Sequence, residues 1–228
     1  MFQEYIFLII IPVALGLWAQ MRVSSTYAKW SQVGSRAGMT GAEVAKAVMR
    51  SAGIDNVDIV EIPGHLTDHY DAQNKRLALS SENYHGTSIA ALGVSAHESG
   101  HAIQDKERYA ALEMRMQLVP MTNFACSLLP AIMIGSLFLG FFGPKLIIAV
   151  IAIYLILTVF QLVTMPVEFD ASRRALQRLN GLGILTSDEM VGARAVLKAA
   201  AWTYVAAFIA SLGTLLYYLS LLSGNRRR

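Results

Sequence analysis

The chain has 228 residues, of which 54% are hydrophobic and only 15% charged, and its mean hydropathy is +0.44. That balance excludes an ordinary soluble domain. A net charge of +3 without a basic stripe interleaved with aromatics gives no reason to expect a nucleic-acid partner, and the single cysteine, Cys126, excludes both an intrachain disulfide and a cysteine-built zinc site.

Four apolar segments, residues 5–20, 118–141, 145–165 and 197–222, are long enough to cross a hydrocarbon core of about 30 Å, so the lipid bilayer is the first expected partner. The first is the shortest. It opens on Glu4 rather than on a basic region and lacks a small-residue cleavage site, which favours a retained anchor over residues 1–20 rather than a secretory signal. Residues 21–117 are polar enough and long enough for a small folded region, and the chemistry is expected there. Thr40 and Glu43 form a capping-box pattern that opens a helix through Val44, Ala47 and Val48, with Gly53 where it would stop. Residues 57–60 predict a short strand that ends at Glu61-Ile-Pro63. GHLTDHYD (64–71) then leads through a turn at 73–75 into RLALS, predicted as an alternating strand, and a helix containing SAHESGHAIQ (95–104) is expected directly after it. Thr87 or Ser88 can cap that helix, and Ile89, Leu92, Ala96 and Ile103 recur at helical spacing. Gly93 and Gly100 weaken it and leave room for a backbone or substrate. Two spans fill 118–165. A polar helix is expected to open at Pro166 and to occupy 166–196, followed by the last span at 197–222 and a basic tail at 223–228. No internal repeat or low-complexity segment interrupts this order.

His97, Glu98 and His101 make an H-E-x-x-H motif. With five His and nine Glu in the chain, a shuffled sequence would contain it roughly 0.004 times. On a helix, residues i and i+4 share a face, so the two imidazoles can converge on one ion while Glu98 stands about 100° round the axis. Two ligands and a neighbouring base are the elements of hydrolytic zinc chemistry. A catalytic zinc usually takes three protein ligands and keeps one position open. His65, His69 and His85 all lie upstream of the motif, so a carboxylate is the expected third ligand, and MPVEFDASRRALQRL (165–179) offers it. Glu168 shares a helical face with Ala171, Ala175 and Leu179. By position alone Asp170 is an equal candidate, and either carboxylate would also suit the positive end of a helix dipole.

GHLTDHYD, SAHESGHAIQ, TMPVEFDASRRAL and VLKAAAWTYVAA, in this order and spacing, resemble the bacterial YugP-type family, whose members are described as membrane zinc metallopeptidases. The resemblance runs from about Tyr27 to about Ala207. More distantly the layout is similar to the HtpX heat-shock protease and the CAAX prenyl endopeptidases, in which two spans separate H-E-x-x-H from a Glu ligand in an E-[FY]-x-A-D stretch. Here 66 residues separate His101 from Glu168, enough for two spans. The resemblance implies Glu168 as the third ligand. Ser172 stands where the wider group has Asp, which leaves the usual hydrogen-bond partner of a ligating histidine unaccounted for. In the HtpX-like layout the strand region before the active helix borders the cleft, which makes Asp68, His69 and Tyr70 candidates for meeting a substrate or the oxyanion. The alternative is a turn tied together by its own Asp and His side chains.

The expectation is an α+β, mainly helical multi-span membrane protein with a small zincin-like (gluzincin) domain beside the bilayer. It would use zinc held by His97, His101 and Glu168, and Glu98 as general base, to hydrolyse proteins or peptides near the membrane. An intramembrane protease is the nearest enzymatic rival, but Glu82, Asn83, Gln104, Asp105 and Glu107 flank the motif too closely for a lipid-crossing helix. A zinc-stabilised scaffold without activity is the alternative from another class, and it has no use for Glu98. Of the nineteen Lys and Arg, fifteen lie in or beside the two polar regions, which places the catalytic side in the cytoplasm of a bacterial inner membrane. Arg173 and Arg174 then read as orientation and headgroup contacts, with an oxyanion role the alternative. Arg226 to Arg228 fall on the opposite side and oppose this assignment.

Overall fold

The computed structural model describes residues 6–138 and 143–225. Glu4, the last residues of the second apolar segment and the basic tail Arg226 to Arg228 lie outside the described residues. A π-helical turn, Ile6–Ile10, runs into helix α1 (Ile11–Ser31). The latter exposes Val13, Leu17, Trp18 and Met21 and buries little besides Pro12, Ala19 and Tyr27, which suits a helix with lipid around most of its surface.

The expected capping box is present: the Thr40 side chain accepts from Glu43 N, the Glu43 carboxylate accepts from Thr40 N, and α2 (Gly41–Ser51) follows. Gly53, at φ +67°, ends it in a conformation that favours glycine. Three strands come next, β1 (Asp58–Ile62), β2 (His69–Asp71) and β3 (Arg76–Ser80), in the order β1-β3-β2. β3 pairs in parallel with β1 and antiparallel with β2. RLALS is therefore the central strand, and it does not alternate: Leu77, Ala78, Leu79 and Ser80 are all buried. One face packs Leu77 and Leu79 against Val44, Val48, Leu92 and Ile103, while Asp68 closes the other by accepting from Ser80 N at 2.8 Å. A short helix, α3 (Ser81–His85), stands between β3 and the next helix, where the sequence predicts direct succession.

Helix α4 (Ile89–Lys106) carries the H-E-x-x-H motif. Ser88 is its cap, its hydroxyl accepting from Ala91 N at 3.1 Å. Ile89, Leu92, Ala96 and Ile103 are buried as their spacing predicts, and the other faces of α4 are mostly buried too. The segment after α1 is tied to its start through Ile89 N to Val33 O and Ser35 N to Thr87 O, both 2.9 Å. A Cβ at Gly100 would stand 2.5 Å from Ala171 O, so the space left by this glycine is filled by another helix backbone and not by a substrate.

Helices α5 (Ala110–Phe138), α6 (Pro144–Gly181) and α7 (Ser187–Asn225) complete the chain. Among the described residues, four helical stretches are long and apolar enough to cross a membrane: Ile6–Ser31, Ala110–Ser136, Pro144–Gly181 and Ser187–Ser223. The separate helix that the sequence predicts to open at Pro166 is not formed: that proline lies inside α6, which continues unbroken from the apolar span to Gly181. Hydropathy marks where lipid contact ends, whereas the backbone ladder continues into the polar region. A proline is tolerated in such a helix when its neighbours satisfy the freed carbonyl. Likewise α7 begins ten residues before its apolar segment, at Ser187.

Candidate metal centre

Residues from α1, α4, α5, α6 and α7 meet at one end of the helical bundle. His97 and His101, one turn apart on α4, place their rings 4.8 Å from each other at 82°. Across from them α6 presents Glu168, which is only 3% exposed on the same buried face as Val167, Ala171, Ala175 and Leu179. His97 Nε2 lies 3.2 Å and His101 Nε2 3.6 Å from Glu168 Oε2. One donor atom from each of the three lies within 4.8 Å of the others. Asp170 is not in this group.

The surroundings fix which ring nitrogens face the carboxylate. Gln104 Nε2 donates to Val167 O at 2.8 Å and to Asp170 Oδ2 at 3.0 Å, so Gln104 Oε1 is an acceptor, and His101 Nδ1–H donates to it at 3.0 Å. Ser172 Oγ stands 3.1 Å from His97 Nδ1 and fills the place that the sequence leaves open. With both rings protonated on Nδ1, the Nε2 lone pairs point at a carboxylate oxygen, an arrangement of acceptors that a cation between them satisfies. Donor atoms held at about 2.0–2.1 Å by one tetrahedral zinc stand about 3.3 Å apart, so the observed 3.2 and 3.6 Å suit the ion. Arg115 of α5 holds the other carboxylate oxygen, its Nη1 donating to Glu168 Oε1 at 3.0 Å, and so aims Oε2 at the two rings.

Glu98 is 8% exposed and makes no side-chain hydrogen bond among the described residues. Burial pushes its carboxyl up to about 7; His97 opposes the shift, and the negative charges of Glu168 and Asp68 add to it. Two cavities meet at this residue. One, of about 210 Å³, is lined by the apolar side chains of Val23, Leu66, Val94, Val196 and Ala200. The other is a more polar cleft of about 530 Å³, bordered by His69, Gln73, Arg115 and Met116. Tyr204 of α7 lines both, as do His97, Glu98 and Glu168.

Asp68, His69 and Tyr70 all border the polar cleft, but they are not equally free. The Asp68 carboxylate accepts from Ser80 Oγ and from Asn83 Nδ2, and Asn83 Oδ1 in turn accepts from Tyr27 OH at 2.8 Å. Tyr70 OH donates to Asp105 at 2.6 Å. His69 Nδ1–H donates only to the nearby Thr67 O, and the residue is exposed. Sequence reasoning missed Arg115 and Gln104 as neighbours of the site, and Tyr204 with them. Arg115 and Tyr204 reach the site from tens of residues away, so local spacing carries no sign of them, whereas Gln104 stands one helical turn after His101 and that i, i+3 spacing was the available signal.

The chain matches, over residues 5–223, the model of a protein family described as "Putative neutral zinc metallopeptidase". It is also 40% identical over 222 residues, 97% of this chain and 98% of its relative, to a Bacillus subtilis (strain 168) protein named "Putative membrane protease YugP". No solved structure matches it.

Proposed function

The chain belongs to this family of zinc metallopeptidases, with zinc as its cofactor, and on that premise we propose that it is a gluzincin-type endopeptidase that cuts proteins or peptides at the membrane surface. His97, His101 and Glu168 hold the metal in this reading. Zinc bound there supplies a Lewis acid that acidifies a water and polarises the scissile carbonyl. Glu98 accepts the proton of the attacking water as the new C–O bond forms, then gives it to the amine nitrogen as the C–N bond breaks. Its lack of a hydrogen-bond partner leaves both oxygens available for that transfer. Gln104 holds His101 in the tautomer that offers Nε2, Ser172 positions the His97 ring through Nδ1, and Arg115 keeps Glu168 in register. His69 is the one of the three cleft residues free to meet a substrate.

The observation that carries the reading is the pair of Nε2 atoms facing Glu168 Oε2, beside a buried carboxylate with nothing of its own to bind. A zinc-stabilised scaffold would not need that carboxylate. The purified protein should cleave casein or a membrane peptide, lose the activity to a chelator and regain it when zinc is restored. A zinc-loaded protein that cleaves neither would favour the scaffold.

Residues 21–117 form the catalytic region in this proposal. The other parts are an anchor at 1–20, two spans in 118–165, a polar stretch at 166–196 that carries the third ligand, a last span at 197–222 and a basic tail at 223–228. The C-terminal ends of α1 and α6 and the N-terminal ends of α5 and α7 all border the site, so four spans place both polar regions on one side of the membrane. Positive charge near those ends, at Arg22, Arg108, Arg115, Arg173, Arg174 and Arg194, puts that side in the cytoplasm of a bacterial inner membrane. In a Cys126→Ser background, Lys145→Cys should react with an impermeant maleimide on intact cells, whereas Asn56→Cys should react only after the membrane is opened. The reverse pattern would turn the protein over.

A further inference from the structure

A further cavity, about 810 Å³, lies outside the cleft, along the seam between α6 and α7. These helices run antiparallel through a short turn at 182–186, so Arg173 and Arg194, nine residues before the turn and eight after it, stand at similar height. Lys198 follows Arg194 one helical turn nearer the membrane. Arg173 is already paired with Asp170 and donates to Gln177 Oε1. Arg194 and Lys198 are exposed and have no hydrogen bond or ion pair among the described residues. Beyond the cations the cavity becomes apolar, lined by Phe169, Leu197 and Ala201.

The depth of this groove is marked independently. Trp202, next to Ala201, meets Trp18 of α1 edge to face at 5.8 Å, and the Arg22 guanidinium lies 5.9 Å from the Trp18 ring centroid. Half-exposed tryptophans beside arginine on spanning helices sit where headgroups meet hydrocarbon. The basic rim is one turn farther out than Trp202, at the level of the phosphates. We propose that this groove binds one anionic phospholipid, with its phosphodiester between Arg194 and Lys198 and the start of an acyl chain along Phe169, Leu197 and Ala201. Two unpaired cations select a net negative headgroup over a zwitterionic one. The apolar continuation of the groove towards the bilayer selects a lipid over a soluble phosphate. Ser172 lines the same groove and holds His97, so the lipid sits directly behind one wall of the metal centre.

The readout is independent of peptide hydrolysis, so failure of the peptidase reading would leave this test intact. Full-length protein is equilibrated with mixed micelles containing phosphatidylglycerol or phosphatidylcholine, and the lipid retained is measured by native mass spectrometry. About one phosphatidylglycerol per chain should be retained in preference to phosphatidylcholine. Arg194→Gln/Lys198→Gln should lower that retention roughly tenfold or more with zinc content unchanged. The charge-keeping exchange Arg194→Lys/Lys198→Arg and the distant Lys145→Gln should both retain the lipid. Equal retention of the two lipids, or undiminished retention by the Gln double variant, would overturn the proposal. Displacement of the lipid by inorganic phosphate would overturn it as well and assign the groove to a soluble anion. If the Gln variant also loses zinc, the charge-keeping variant and phosphatidylcholine decide the matter, since a headgroup-charge site requires retention by the first and discrimination against the second.

Discussion

Glu98→Gln is expected to lower peptide hydrolysis by about three orders of magnitude or more while leaving about one zinc per chain. Glutamine keeps the shape of the side chain and removes the group proposed to accept the proton of the attacking water. Because His97 points at Glu168, a residue one position further along the helix stands about 100° round the axis, beside the ion but not aimed at it as a ligand, and its loss should not empty the site. The substitution is also mild for the fold. Glu98 makes no side-chain hydrogen bond among the described residues, and burial already favours its neutral form. Zinc content and turnover, measured on the same preparation, separate the two roles: loss of zinc together with activity would make Glu98 a ligand and overturn its assignment as base.

The parts of this site that were legible in the sequence are those set by a short repeat distance. His97 and His101 are one turn apart, so a helix alone places them together, and the same regularity exposes the capping box at Thr40 and Glu43. Glu168 was legible only in part. Its buried face, with Ala171, Ala175 and Leu179, can be read from spacing, but the distinction from Asp170 depends on how α6 rotates against α4. Close approach decides that rotation: Gly100 admits the backbone of Ala171, which turns Glu168 towards the histidines and leaves Asp170 to Gln104, Arg173 and Arg174. A pair of complementary surfaces of this kind has no signature within either segment. Strand β3 misled for a related reason. RLALS contains polar residues at both ends, but Ser80 is buried because Asp68 reaches over the sheet and accepts its hydrogen bonds. The unbroken α6 was hidden because the sequence reports solvent and the helix reports backbone bonding, and the two boundaries fall at different residues.

Removal of Glu168 should have the second large effect. Glu168→Ala deletes one of the three proposed donor atoms and is expected to weaken zinc binding by more than about 100-fold, beyond the roughly 10–100-fold that a supporting residue costs. Activity should fall in parallel, in contrast to the Glu98 variant, which keeps its metal. The alanine variant also leaves the Arg115 guanidinium without its carboxylate partner, so part of the loss could come from disturbed packing. Glu168→Gln separates these effects, because its amide oxygen can still accept from Arg115 while the charge opposite the two imidazoles is gone. It too should bind zinc poorly. Asp170→Ala provides the comparison from the same helix. The Asp170 carboxylate touches neither imidazole; it accepts from Gln104 Nε2, and Gln104 Oε1 accepts from His101. Gln104 keeps its second anchor, Val167 O, when Asp170 is removed. Zinc affinity in that variant should therefore fall only about tenfold, with the larger change in the pairing of Arg173 and Arg174. Zinc content measured by equilibrium competition with a chelator ranks the three variants. If the metal followed Asp170 and survived in Glu168→Gln, the ion would lie on the Gln104 side of His101, and the facing Nε2 atoms would need another cation.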